Sequence, residues 1–384
     1  MQVHKPTILL ANGTMNAGGT ETLLMEMFRH QTGRVRYILM IHDQGEPKVG
    51  IYDDEINSWG VEVLHIPSVG TIGIKGYCKK FKEIVSNTGQ IDIVHSHLNA
   101  NGGIICMAAK QAGIKQRICH CHADIRYKGS WFSNLKSELE LQVLRVFIDL
   151  FANHFWACSE RAWHRLFYPW RKIVVIPNMI DVQKYLSKPG DKDDAKIAID
   201  LKGKFIVGSI GRVARIKNYE LALAAVALLN QNNHETHYVC YGRFDAENDA
   251  YCAELLSLAD RLGISNKVHF MGNTTNVAHD IKAFDVFLMP STTEGFGMAA
   301  IESQAAGIPT LLSNGVPKIV DTGVKLVRFV AKNDPQTWAD SIIDICNIDI
   351  PGNDLILRQF NQMKYNSATM VQNIEDLYLS MLNK

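Results

Sequence analysis

No run of this chain is apolar for the ~18 residues that a bilayer-spanning helix needs, so a membrane span is not expected. A leader is not expected either. Met1-Gln2-Val3-His4-Lys5-Pro6 leads straight into a strand and lacks the apolar core of a secretory signal. Cysteines are few and scattered: eight in 384 residues, single apart from Cys119-x-Cys121. That excludes a disulfide-stapled scaffold and reads as a reduced, cytoplasmic chain, at most peripheral at the inner face of a membrane. Excess charge of one sign is missing too. The net charge of +1 implies no polyanion such as nucleic acid as a partner. The first glycine-rich turn is not a G-x-G-x-x-G fingerprint, so a nicotinamide cofactor is not expected.

What is present fits an ordinary globular protein of two domains, with 47% hydrophobic and 21% charged residues. The charge is unevenly split. Residues 1–180 carry 20 Lys and Arg against 15 Asp and Glu, and the remainder 20 against 24. A basic front half suits an anionic membrane or a lipid-phosphate acceptor, although so small an excess is also ordinary surface.

The chain turns on residues 286–302. Val286-Phe287-Leu288-Met289 reads as a buried strand ending at Pro290. A polar turn follows with Glu294, Gly295, Phe296 and Gly297, and good helix formers run from Met298 to Ala306. The two glycines let backbone approach a ligand, and the new helix offers free N–H groups to an anion. Glu294 lies at the mouth of this turn, and Glu302 about one turn into the helix on the same rim. Two acids beside an anion site suit a ligand with both phosphate and hydroxyls, such as a nucleotide sugar. The plain alternative is a strand–helix corner with two solvated acids.

The rest alternates strand and helix. Apolar strands are read at 7–11, 37–41, 61–66, 91–96, 205–210, 238–241 and 308–313, with helices over 76–85, 100–112, 219–230 and 367–382. Strands at this spacing predict parallel sheets covered on both faces. Leu139–Trp156 is read as a buried helix interrupted by Glu140, Arg145 and Asp149. Thr20 reads as a helix N-cap. Two basic, aromatic stretches carry two readings each, lipid contact or a solvated face over core. These are the helix with Ile74, Tyr77, Phe81 and Ile84 among Lys75, Lys79, Lys80 and Lys82, and the segment with Arg161, Trp163, Arg165, Phe167, Tyr168, Trp170 and Arg171. Cys119-His120-Cys121-His122 suggests a metal at first sight. On a strand, however, the cysteines and histidines point to opposite faces, and no second Cys pair at zinc spacing exists. No metal site is expected. After a strand, Gly211-Arg212 through Lys217-Asn218 places two cations on one turn, where Arg212 can grip a diphosphate as a fork and Lys217 as a point charge.

These motifs carry a resemblance. Glu294 and Glu302, in Met289-Pro290-Ser291-Thr292-Thr293-Glu294-Gly295-Phe296-Gly297 and followed by Ser303-Gln304-Ala305-Ala306-Gly307-Ile308-Pro309, resemble the E-x7-E signature of the family 4 retaining glycosyltransferases. Gly211-Arg212 to Lys217-Asn218 resembles that family's Gly-Arg-x4-Lys-Asn. Gly18-Gly19-Thr20-Glu21 is similar to its Gly-Gly-x-Glu/Gln turn, and Pro177-Asn178-Met179-Ile180-Asp181 to its Pro-Asn-Gly-Ile-Asp linker, with Met179 in place of Gly. Arg117-Ile118-Cys119-His120-Cys121-His122 resembles the Arg-Ile-x-His-Ser-His of relatives that build cell-surface polysaccharides. Tyr241-Gly242-Arg243 departs from the family's Gly-x-Gly.

The resemblance covers essentially the whole chain. It implies an α/β protein of GT-B fold, two Rossmann-like doubly wound domains facing across a cleft. Residues 1–180 would form the acceptor-side domain, 181–365 the nucleotide-sugar-binding domain, and 366–384 a helix crossing back to the first. It further implies that Arg212 and Lys217 hold the donor diphosphate with the amides of Gly295, Phe296, Gly297 and Met298. Glu294 would hold sugar hydroxyls, Glu302 the ribose diol, and Asn273 would lie against the base. His122 would sit near the transferred sugar, with His120 structural. Gly18 and Gly19 would line the cleft, and Asn178 would add a substrate contact from the linker. The implied activity is transfer of a sugar, with retention, from a nucleotide-diphosphate sugar, a UDP-sugar in preference, to a glycan acceptor, lipid-linked in capsule or exopolysaccharide assembly. No cofactor or metal is implied. A UDP-sugar epimerase of the same architecture and a non-catalytic sugar-nucleotide-binding subunit are the rival readings.

Overall fold

The computed structural model describes residues 5–15, 19–45, 50, 52–122 and 131–383, with backbone alone at 131–134 and 161. The chain divides into two compact units, residues 1–180 with 364–384, and residues 181–363.

In the first unit seven parallel strands form one sheet. They are β1 (Thr7–Asn12), β2 (Arg36–Asp43), β3 (Glu62–Pro67), β4 (Ile93–Ser96), β5 (Gln116–Cys121), β6 (His154–Ala157) and β7 (Ile173–Val175). Their order is β3-β2-β1-β4-β5-β6-β7. Strand alternation sorts β1 onto two cores. Ile8 and Leu10 pack with Leu23, Leu24, Phe28 and the C-terminal helix residues Met370, Val371 and Tyr378, while Leu9 and Ala11 pack with Tyr77, Phe81, Ile104 and Ile105. The helix Ser367–Leu382 therefore belongs to the core of this unit, and Met179 is buried in the same cluster.

The second unit holds β8 (Phe205–Ile210), β9 (Thr236–Tyr241), β10 (Val268–Gly272), β11 (Val286–Met289), β12 (Thr310–Ser313) and β13 (Val327–Val330), also parallel and in the order β10-β9-β8-β11-β12-β13. Val207, Tyr238, Cys240, Val286, Leu288 and Leu311 meet the helices Tyr219–Gln231 and Pro335–Ile345 in its core. Both sheets reverse their strand order once, between β1 and β4 and between β8 and β11. In open parallel sheets that reversal opens a crevice at the carboxyl ends of the strands, where ligands bind.

Three expectations need correction. Thr20 is not a cap, because the helix Gly19–Arg29 has already begun before it. The helix read over Leu139–Trp156 runs from Trp131 to Phe151, and β6 follows from His154. Nor is that helix buried: Leu141 and Ile148 are in the core, while Leu139, Val143, Val146 and Leu150 are exposed. The segment carries two apolar stripes, and only one meets the neighbouring helix Gly102–Gln111. The lysine-rich helix, Val69–Thr88, buries Tyr77 and Phe81, and the Tyr77 hydroxyl pairs with His42 Nε2 at 2.7 Å. Its apolar face is core, which is the plainer of its two readings.

Candidate active site

At the reversal in the second sheet, the turns leaving β8 and β11 are tied together. Thr292 donates its amide to the Ile216 carbonyl at 2.8 Å, and Asn218 Nδ2 reaches the Pro290 carbonyl at 3.3 Å. The Glu294 amide donates to the Gly315 carbonyl, 3.1 Å away in the turn after β12. This lacing brings Lys217 Nζ to 2.7 Å from Glu294 Oε1, with the two side chains 21% and 13% exposed. Partial burial makes this pair stronger than a surface one.

Arg212, on the same turn, is exposed. The motif's other arginine, Arg215, is committed elsewhere, pairing with Glu254 at 2.6 Å and lying over Tyr251. Gly242 holds this edge in shape. Its amide donates to the Gly272 carbonyl at 2.7 Å, and a Cβ there would come within 2.0 Å of the Gly211 carbonyl oxygen. The departure from Gly-x-Gly thus keeps the one glycine that the packing needs.

The helix Met298–Ala305 starts after Gly297, whose φ of 105° suits glycine, and no side chain caps it. Ala300 turns its amide back to the Gly297 carbonyl at 3.0 Å, leaving Met298 and Ala299 as the amides an anion would meet. Phe296 is buried and fixes the turn from beneath, beside the half-buried Gly295. Glu302 is nearly buried, one turn along. Burial pushes its carboxyl up to about 7, against a hydrogen bond from Tyr185 that favours the ionised form. Asn273 is exposed in the turn after the edge strand β10, directly after the Gly272 carbonyl.

In the first unit the reversal gathers histidines. His122 follows β5, and its amide donates to Asn99 Oδ1 at 2.7 Å. Its Nε2 lies 2.8 Å from His97 Nδ1. Asn178 is buried as well. His120 Nδ1 pairs with His95 Nε2 at 3.1 Å, and His95 Nδ1 with the Tyr378 hydroxyl at 2.6 Å. Burial holds all four imidazoles neutral, with His122 pushed down to about 3. Neutral rings can donate from one nitrogen and accept at the other, which is what these pairings use. Cys119 and Cys121 point away to the Asn99 and Ala162 carbonyls, as strand alternation requires.

His95 and His97 were not singled out from sequence. The signal was there: His-x-His ends β4 as it ends β5, and these strands are neighbours. Ring nitrogens of His95, His97 and His120 lie within 4.8 Å of one another, but the pairings above already use four of their six nitrogens. Gly19 opens the helix after β1 and Gly18 lies outside the described residues. Burial raises the carboxyl of Glu21, in the first turn of that helix.

Both halves of the chain match known families. Residues 17–184 match the model for Glycosyltransferase Family 4, and residues 191–362 that for Glycosyl transferases group 1. The Bacillus subtilis (strain 168) glycosyltransferase named EpsF is 27% identical over 387 residues, covering 98% of this chain and 97% of the relative. The capsular polysaccharide biosynthesis glycosyltransferase CapH of Staphylococcus aureus is 24% identical, with 85% and 87% covered. Among solved structures, Anabaena Alr3699/HepE in complex with UDP and glucose superimposes with a TM-score of 0.76 at 18% identity, covering 97% of this chain and 99% of that one. At that identity the likeness shows the fold, two doubly wound sheets of the GT-B class.

Proposed function

Because this chain belongs to the family 4 and group 1 glycosyltransferases, we propose that it moves a sugar from a nucleotide-diphosphate donor, a UDP-sugar, to a hydroxyl of a lipid-linked glycan during cell-surface polysaccharide assembly. The observation that carries this reading is the Lys217–Glu294 pair at the strand-order reversal, beside an uncapped helix start. Lys217, Arg212 and the amides of Met298 and Ala299 would take the diphosphate. Negative charge grows on that diphosphate as the glycosidic bond breaks, so preorganised donors there lower the barrier most. The same cations supply the positive charge a metal would otherwise bring, and the proposed transfer uses none.

Glu294 would accept from the sugar hydroxyls and Glu302 from the ribose diol. No carboxylate is assigned as a covalent nucleophile. The proposed route is attack from the leaving-group face, with the departing phosphate oxygen taking the acceptor proton, which gives retention. The uridine base is favoured because the Anabaena protein is solved with UDP and with UDP-glucose. The glycan class follows from the names of EpsF and CapH, each matched over most of its length. The first unit, with His122, Asn178 and Gly19, would receive the acceptor. Its lipid would bring the enzyme to a membrane surface, although no helix among the described residues is long and apolar enough to cross one.

Thermal unfolding with UDP, GDP and ADP, each with and without a chelator, tests this. A ligand at ~100 times its dissociation constant adds about 2.7 kcal/mol. The expected result is a midpoint raised by several degrees with UDP alone and unchanged by chelator. No shift with any of the three would sink the donor assignment. The anomeric configuration of the product, read by NMR, checks retention, and product formed without acceptor would turn the reading to an epimerase.

A further inference from the structure

From Leu135 to Leu150 the helix Trp131–Phe151 carries an exposed apolar face. Leu135, Leu139, Val143, Val146 and Leu150 are 45, 61, 57, 45 and 62% exposed. Their spacing of four, four, three and four places them in one band along the helix, about 22 Å long at the usual rise. Single exposed leucines are ordinary on a protein surface, but a line of five is not.

The rim of this stripe is specific. Of the helix's three acids, Glu138 is paired with Arg165 and Asp149 with Arg171 Nε at 2.5 Å, while Glu140 is exposed. Those arginines neutralise the two paired acids from the segment that follows β6. Trp170, in that segment, is 68% exposed and stacks on Tyr168, whose other partner is the Arg145 guanidinium at 4.5 Å. On the opposite flank Lys136 is exposed, as is Lys110, which lies over the Phe151 ring at 5.5 Å. An apolar line, an exposed tryptophan, two of the three acids neutralised and amines at the edge together describe a surface for anionic lipid headgroups.

We infer that this face docks the first unit on an anionic phospholipid bilayer, the helix lying in the interface with Trp170 at headgroup depth. This rests on the reading that the acceptor is lipid-linked, and it names where the enzyme touches the lipid phase. A second copy of the chain suits the face less well. Five aliphatic side chains and one indole by themselves offer less than the about 800 Å² per partner of a stable protein interface. A bilayer asks for no such complementary shape.

The test is co-sedimentation with vesicles of phosphatidylcholine plus phosphatidylglycerol, and of phosphatidylcholine alone. The full chain is expected to pellet with the mixed vesicles and far less with the neutral ones. The Leu139→Gln/Val146→Gln variant is expected to partition about tenfold less or weaker still. Its folding is checked by an unchanged UDP-induced rise in melting temperature, and Trp170→Ala gives a second, milder variant. Wild-type protein left in the supernatant with mixed vesicles, or a double variant that pellets like wild type, would overturn the inference. So would light scattering that finds a wild-type dimer abolished by the double substitution, since the face would then join two copies. A chain that binds vesicles but is stabilised by no nucleotide would leave this inference standing and remove the transferase donor site instead.

Discussion

Replacing Lys217 by alanine is expected to lower kcat/KM for glycosyl transfer by two to three orders of magnitude, on the order of 3–4 kcal/mol, as for loss of one preorganised oxyanion donor. The side chain sits where three turns are laced together, and Glu294 holds its ammonium at 2.7 Å. If it grips the diphosphate, its loss weakens an interaction that strengthens as the bond breaks. Turnover then falls more than the affinity for UDP. A merely structural Lys217, present only to neutralise Glu294, behaves differently. In that case Glu294→Gln should restore what Lys217→Ala removed, because no half-buried carboxylate is left without its cation. The double variant separates the two. With separate roles on diphosphate and sugar hydroxyls, it is slower than either single variant. Lys217→Ala retaining kcat/KM within a few-fold of wild type would end the diphosphate assignment.

The arrangement behind that prediction was legible in sequence because it is local. Gly211-Arg212 to Lys217 and Glu294 to Glu302 each lie on one turn leaving a strand, and turn chemistry is written in consecutive residues. The parallel sheets were legible for the same reason, since β1, β8 and β11 are short apolar runs bounded by glycine, proline or polar residues. What could not be read depends on partners distant in the chain. Leu139 and Leu141 look alike in sequence, yet Leu141 is buried and Leu139 exposed, which is a tertiary fact. His95 and His97 gain meaning only when β4 is laid beside β5. Strand β13, Val327–Val330, went unread because Arg328 interrupts a run of four residues at the sheet's edge. Met179 stands where the family has glycine, and only the packed core, with Met370 and Val371 around it, accounts for a large apolar residue there.

Glu302 carries the second large effect, and it appears in stability before activity. Its carboxyl is pushed from an ordinary value of 4.5 up to about 7, because burial penalises the charged form more than the Tyr185 hydrogen bond favours it. The sign follows directly. Below pH 4.5 the group is neutral in folded and unfolded chains alike and costs nothing. Between 4.5 and about 7 the unfolded chain ionises while the folded one resists, so the folded state loses stability as pH rises. Above about 7 the loss is complete, at about 3 kcal/mol for a difference of this size. Glu302→Gln removes the charge and keeps an acceptor for Tyr185. It is expected to melt several degrees above wild type at pH 8 and to match it at pH 4. A variant no more stable than wild type at pH 8 would mean that the ionised group is already well solvated where it stands. A residue that costs the free enzyme this much suits a position that gains on binding, where an ionised carboxylate accepts from the two ribose hydroxyls. Affinity for UDP-glucose, whose diphosphate diester does not titrate in this range, should therefore strengthen as pH climbs through 7 and stay flat in the glutamine variant. Parallel pH profiles for the two proteins would detach Glu302 from the ribose and leave it a buried acid of the helix alone.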